Sequence, residues 1–204
     1  MGTVHGAITI SLDGYYTGPD DGPGRGLGVG GERLHSWVFG GPWRYEDPQR
    51  GEPYGADKAW LEETTAANGA VVAGRGTFEA AGHWGGTNPW PFPCVVVTHR
   101  TSDVPDVTGF HFARSPEEAV ARAQALAGDR QVHVMGGGQI IRQLLAAGYL
   151  DELTIIVAPL LLGAGKRLFE NLDRSVELEQ LDVHQSDWAT FLHYRVLGPV
   201  GASS

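Results

Sequence analysis

The sequence predicts an α/β fold in which a mostly parallel sheet carries helices and ends in an antiparallel hairpin at one edge. Two observations lead there. From about residue 56 to residue 157 short apolar strands alternate with helical stretches, and the last third reads as two long strands around Gln185-Ser186-Asp187. A helix signal at Ser115-Pro116-Glu117-Glu118 anchors the alternation: Ser caps, Pro takes the first helical position and Glu118 closes a capping box.

Taken in order, Val4 to Leu12 opens with alternating character and reads as a strand that stops at the turn Asp13-Gly14. Thr17 to about Gly55 is a glycine-rich, aromatic segment, long enough for a lid or pocket wall, with a short helix at Glu32 to Phe39. A helix follows near Ala56 to Asn68, a strand at Ala70 to Ala73, a short helix from Thr77 and a strand at Cys94 to Thr98. Beyond a weak strand at Phe110 to Ala113 and the helix from Pro116 come a strand at Gln131 to Met135 and a helix at Gln139 to Ala147. Ile140, Ile141, Leu144 and Leu145 point that helix inward, and Gly148 stops it. Leu153 to Val157 is a strand, and Val176 to His184 with Trp188 to Leu197 forms the hairpin. One domain over residues 1–198 is expected, with residues 18–55 as its insert and 199–204 as a flexible tail.

Composition narrows the function. With 15 Lys plus Arg against 24 Asp plus Glu the net charge of the 204 residues is −9, which argues against nonspecific nucleic-acid or anionic-membrane binding. The 30 glycines are about twice the usual ~7%, so many tight backbone turns are required. A single cysteine, Cys94, leaves no internal disulfide and no multi-cysteine metal site. No apolar run reaches transmembrane length, so a soluble, cytoplasmic protein is expected. H-E-x-x-H, G-x-S-x-G and the P-loop pattern are missing, as is the H-x-E with P-C-x-x-C of zinc deaminases, and no metal site is expected. His184 and His193 on the hairpin read as sheet-surface or core residues.

Two strand-to-helix junctions carry the residues that phosphate binding needs. In Met135-Gly136-Gly137-Gly138-Gln139-Ile140 bare glycines let amides approach an anion where a helix begins, although a sharp turn would also use glycine. In Gly74-Arg75-Gly76-Thr77 an Arg fork follows a strand end and Thr77 can cap the next helix; a capped helix with a solvated Arg is the alternative. Both junctions face one crevice if their strands are neighbours, which favours a dinucleotide over a single phosphate. Thr98-His99-Arg100 places a hydroxyl, an imidazole and a guanidinium beyond a third strand, suited to the 2′-phosphate of NADPH or simply to a solvated loop. The G-x-G-x-x-G match at Gly26 to Gly31 is refused because Pro19 to Arg25 before it cannot be a central strand. Asp13 and Asp57 are the candidate acids; the alternatives are a turn residue and a helix cap.

The chain resembles the dihydrofolate reductase-like superfamily, and most closely the reductase domain of the bacterial riboflavin-biosynthesis deaminase-reductase. The resemblance is carried by Ser11-Leu12-Asp13-Gly14-Tyr15, Val72 to Glu79, Val97-Thr98-His99-Arg100, Met135 to Gly138 and Pro159 to Gly165, in that order and spacing. It implies a three-layer α/β/α fold, NADPH as hydride donor and a homodimer. Carried over, Gly74, Arg75 and Thr77 approach the phosphates, Thr98 and Arg100 the 2′-phosphate, and Gly137, Gly138, Gln139 and Ile140 the diphosphate. Asp13 matches an acidic position on the substrate side, and Asp57 the proton-supplying carboxylate. The deaminase half is not in this sequence.

The expected activity is therefore hydride transfer from NADPH to a C=N bond of a pteridine- or aminopyrimidine-like substrate. Asp13 or Asp57 supplies the proton, and Tyr15, Trp37 and Trp43 cover the ring, unless those aromatics serve only packing. The rival expectation is a nucleotide- or flavin-binding protein of the same fold without catalysis.

Overall fold

The computed structural model describes residues 2–100 and 106–199. Its main sheet has eight strands: β1 (Val4–Ser11), β3 (Asn68–Gly74), β4 (Cys94–Val97), β5 (Phe110–Ala113), β6 (Gln131–Val134), β7 (Glu152–Ala158), β9 (Val176–Gln185) and β10 (Thr190–Pro199). Their order is β5-β4-β3-β6-β1-β7-β10-β9. The first six run parallel, and β10 pairs antiparallel with both β7 and β9. This is the mostly parallel sheet with a terminal antiparallel pair that the sequence predicts. Residues 200–204 of the expected tail lie outside the described residues.

Among the described residues four α-helices accompany the sheet: α1 (Gly55–Ala67), α2 (Arg75–Ala80), α3 (Pro116–Ala127) and α4 (Gly138–Ala146). The local signals work, with the Glu118 carboxylate reaching one residue beyond the expected capping box, to Arg114 rather than to Ser115. Ser115 Oγ accepts from Glu118 N at 3.2 Å, while the Glu118 carboxylate accepts from Arg114 N at 2.8 Å. After α4, Gly148 at φ 74° closes the helix with amides of Gly148 and Tyr149 bonded back to Leu145 and Leu144, a Schellman stop. Helix α2 begins two residues before the predicted Thr77, and the predicted 32–39 helix is a short 3₁₀ turn at Gly31–His35.

Alternation along the strands divides the core by sheet face. On one face α3 and α4 cover Val4, Val72, Val95, Val132, Val134 and Leu153, and Ile141 and Leu144 of α4 are fully buried. Each such side chain contributes about 1.5–3 kcal/mol of transfer energy. On the opposite face one aromatic cluster sits around Phe78 over β3, β4 and β5, and a second around Trp37 and Phe191 over β7 and β10. Between them lie His5, His133 and His193, with ring centroids 5.8 and 5.3 Å from His5 to its two neighbours. Gln131 Nε2 can only donate, so His5 Nδ1 accepts its bond at 3.3 Å and His5 Nε2 carries the hydrogen toward Thr154 Oγ1 at 2.7 Å.

A small second sheet went unpredicted: β2 (Tyr15–Thr17) pairs with β8 (Lys166–Arg167). It ties the start of the glycine-rich segment to the loop after β7, assisted by Lys166 Nζ on Asp21 at 2.6 Å. Within that segment Gly18 N bonds Leu27 O, Val29 N bonds Pro19 O, and Gly22 faces Arg25 in a tight turn, so the refused glycine motif does follow a turn and no strand. Among the described residues no helix is long and apolar enough to cross a membrane, and no group of three or more His, Cys, Asp or Glu is arranged to hold a metal ion.

Candidate functional site

Strands β3, β4, β6 and β1 are mutually parallel, so their C-terminal ends share one edge of the sheet. That edge gathers the predicted stretches. Gly74 N donates to Gly136 O at 2.8 Å, joining the end of β3 to the turn after β6. Arg75 Nη1 donates to Thr98 Oγ1 at 3.0 Å, joining α2 to the end of β4, and Arg75 Nε is held by Glu79 at 2.6 Å. Thr98, buried, also accepts from Arg100 N at 3.2 Å, so one hydroxyl brackets both arginines. His99 and Arg100 are exposed. The 101–105 stretch that follows lies outside the described residues.

The glycines serve different ends. Gly136 has φ 114°, a backbone state that L side chains avoid. Gly138 is needed by a neighbour: a Cβ there would stand 2.6 Å from Tyr16 Cε1 and 2.7 Å from Cδ1. Gly137 combines room with an ordinary backbone, for a Cβ there would meet nothing nearer than Thr77 Oγ1 at 3.5 Å. Gly74 lets Ile140 in, with Ile140 Cγ1 3.0 Å from where its Cβ would be. The seat is thus bounded by Gly74, Thr77 and Gly137 at the start of α4, where the first-turn amides of a helix lack intrahelical partners.

Three expectations change. Thr77 does not cap α2, whose N-cap is Gly74; its hydroxyl instead faces Gly137. Ile140 belongs to the core, its side chain is 8% exposed and its amide is bonded to Gly137 O at 3.0 Å, whereas Gln139 is exposed. Trp37 and Trp43 are packed by protein. Trp37 Nε1 donates to Thr9 at 3.0 Å, and its ring meets Trp60 and Phe191 edge-on at 5.5 and 5.3 Å. Trp43 lies against Phe39 and Tyr45 with the Arg50 guanidinium 4.3 Å above it.

The two acids have opposite environments. Asp13 Oδ1 accepts from Ser11 Oγ at 2.6 Å and Leu162 N at 3.1 Å, and Oδ2 accepts from Gly163 N at 2.8 Å. The Ser11 hydroxyl and these amides hold its pKa down to about 2, so the proton-donor role expected of Asp13 does not suit a group ionised at neutral pH. It clamps the loop after β7, where Tyr15 also rests, its hydroxyl on Gly163 O at 3.3 Å and its ring beneath the Arg167 guanidinium at 4.6 Å.

Asp57 stands in the first turn of α1, the one fully buried residue of that helix, at 1% exposure. Burial pushes its pKa up, while Ser186 and His184 pull it down and Asp187 adds to the rise. Its Oδ1 is buried and, among the described residues, bonded to no protein group. Tyr54, just before α1, fixes this placement: Trp188 Nε1 donates to Tyr54 Oη at 3.0 Å, and that hydroxyl reaches Asp187 at 3.4 Å. The turn between β9 and β10 lies at the same sheet edge as the glycine seat, because Thr190 pairs with Val157 near the end of β7. From β6 to β10 are three strand spacings, about 14 Å.

Sequence reading missed Tyr16 and the partners of Asp57. Tyr16 follows Tyr15 directly, but only the tertiary packing shows that its ring covers Gly138. Ser186 and His184 are about 130 residues from Asp57 and carry no local signal.

A family model described as the RibD C-terminal domain matches residues 3–190. No curated protein matches the chain significantly. Among solved structures, a Shewanella sp. PV-4 protein provisionally described as a riboflavin biosynthesis protein superposes with TM-score 0.67 at 22% identity, over 95% of this chain and 98% of its own. Dihydrofolate reductase from Enterococcus faecalis, complexed with NADP(H) and RAB-propyl, gives TM-score 0.58 at 18% identity, over 96% of this chain and 97% of that one. At these identities both likenesses show the fold, which is of the dihydrofolate reductase type.

Proposed function

Since the chain belongs to the RibD C-terminal domain family, we propose that it is an NADPH-dependent reductase acting on a C=N bond of a pteridine- or aminopyrimidine-like ring. The observation that carries the reading is the junction of Gly74-Arg75-Thr77 with Gly136-Gly137-Gly138 at neighbouring strand ends, joined by the 2.8 Å bond from Gly74 N to Gly136 O. Bare Gly137, with room for an approaching anion, fits a diphosphate at the start of α4. Arg75, Thr98, His99 and Arg100 surround the place where a 2′-phosphate would rest, and Gln139 lies exposed in the first turn of α4, on the diphosphate side.

Bound NADPH would supply the hydride, and the residues of the chain supply orientation and a proton. Asp57, whose pKa burial pushes up, serves as proton donor from the hairpin side. Asp13 keeps the loop after β7 in register as the floor for Tyr15. The packed rings of Trp37 and Trp43, enclosed by protein, stiffen the glycine-rich segment from within. A homodimer accompanies this reading: edge strand β9 exposes Leu178 and Val183, and β10 exposes Leu197.

The test is a titration of intrinsic tryptophan fluorescence with NADPH and NADH, followed by NADPH oxidation with dihydrofolate and with 5-amino-6-(5-phosphoribosylamino)uracil as probes. Preference for NADPH that vanishes in Arg100→Ala is expected, and equal affinity for both cofactors in the unaltered protein removes the 2′-phosphate assignment. Binding without oxidation by either probe would favour a non-catalytic nucleotide-binding protein.

A further inference from the structure

We propose that His184 is a positioning residue for Asp57, returning to the carboxyl across the seam between α1 and the β9–β10 hairpin the proton that each turnover removes. The proposal rests on the reductase reading, since it takes Asp57 to be the donor.

Two buried polar atoms face this seam without partners. Asp57 Oδ1 and His184 Nε2 are both inaccessible, and among the described residues neither is hydrogen-bonded by a protein group. Buried side-chain polar atoms are paired in the large majority of cases, so an acidic and a basic orphan on apposed elements need a common explanation. The apposition is fixed by Tyr54, which links the start of α1 to Asp187 and Trp188 of the hairpin turn. On the other side of the seam, the His184 ring stands edge-on to Phe191 at 5.1 Å, and Phe191 meets Trp60 of α1 at 5.0 Å. His184 is half-buried as a residue, and Nε2 is its inaccessible nitrogen.

The neighbouring groups set the need for such a partner. Burial favours the protonated carboxyl, Asp187 reinforces it, and His184 and Ser186 favour the anion. The Ser186 hydroxyl is largely engaged in its own turn, accepting from Trp188 N and Ala189 N at 3.1 Å each. Lys58, the cation next to Asp57 in α1, is exposed and lies 3.8 Å from Glu62. Among the described residues, His184 is thus the basic side chain that faces the Asp57 carboxyl at the seam.

The chemistry balances. The Asp57 O–H breaks as an N–H forms on the substrate, whose adjoining carbon takes the hydride from the dihydronicotinamide. The buried carboxylate then receives the Nε2 proton of His184 across one bridging hydroxyl or water, since the two groups are not in direct contact; the imidazole takes a proton from solvent and exchanges it to regain the Nε2–H tautomer before the next turnover. The return step moves protons only.

The test uses the whole, cofactor-free chain with ¹³C-labelled aspartate, Asp57→Asn identifying the carboxyl signal. Its pH titration is followed in the unaltered protein, in His184→Gln and in His184→Leu. Loss of the basic partner is expected to move the Asp57 midpoint upward by about 0.5 pH unit or more in both variants; an unchanged midpoint overturns the proposal. Should His184→Leu fail to fold, His184→Gln carries the same measurement. On whichever probe is reduced, His184→Gln should turn over about tenfold more slowly or less, with partial rescue by added imidazole, and a full rate in that variant also overturns it. Failure to bind or oxidise NADPH would instead remove the reductase reading, while the carboxyl titration still decides the pairing.

Discussion

Replacing Gly138 by Ala tests whether that glycine serves packing. Its backbone is not in the left-handed region, so Ala is conformationally allowed, but the new Cβ would stand 2.6 and 2.7 Å from two carbons of the Tyr16 ring. Real Cβ contacts do not come so close, and the ring, half-buried against the Ile140 and Ile141 side of the core, has to shift. Overpacking of this kind costs about 1–3 kcal/mol. For a chain of this length each kcal/mol lowers Tm by about 2–4 °C, so Gly138→Ala should melt roughly 2–12 °C lower. Calorimetry on the double-mutant cycle with Tyr16→Ala separates the causes. With the ring gone, the same methyl should be neutral or stabilise by up to about 1 kcal/mol, because Ala favours the helix over Gly. An equal loss of Tm in both backgrounds would refute the packing argument and return Gly138 to the phosphate seat alone.

The other expectations concern charge. Asp57→Asn should lower turnover about 10²- to 10⁴-fold while NADPH affinity stays within about twofold, and normal turnover on a confirmed substrate would end the acid role. His5 is held down to about 3 from the ordinary 6.5, by burial first and by His133 and His193 next. The unfolded chain therefore binds a proton below pH 6.5 that the folded one refuses, so stability is full above that pH and falls as pH drops toward 3. At pH 5 the loss is about 2 kcal/mol; urea melts at pH 7.5 and 5.0 should show it shrinking in His5→Gln, and an unaltered drop would sink the assignment. Asp13→Asn should speed hydrogen exchange at the Leu162 and Gly163 amides by about tenfold or more, since both donate to that carboxylate. Val183→Asp on edge strand β9 should leave a monomer in sedimentation if the hairpin is the dimer contact, and an intact dimer would move that contact elsewhere.

Much was legible because it is written locally. The Ser115 N-cap, the Schellman glycine at Gly148 and the apolar stripe of α4 depend on residues a few positions apart, and the structure places all three as read, with the return bond of Glu118 moved to Arg114. The glycine turns after β3 and β6 were visible as turns, and the motif order pointed to the fold. The segment at 18–55 and the small β2–β8 sheet were harder, for β8 has only two residues and its partner lies about 150 positions away.

What the chain alone determined about this protein is therefore the alternation of strands and helices, the positions where backbone must turn tightly, and the family pattern. Tertiary structure decided which of two similar aspartates has its pKa held down and which has it pushed up. Asp13 meets a hydroxyl and two amides from a loop 149 and 150 residues away, whereas Asp57 is enclosed by a hairpin turn with no donor on Oδ1. A carboxyl's protonation state follows from solvent exclusion and from the groups around it, and those are fixed only when distant segments pack together.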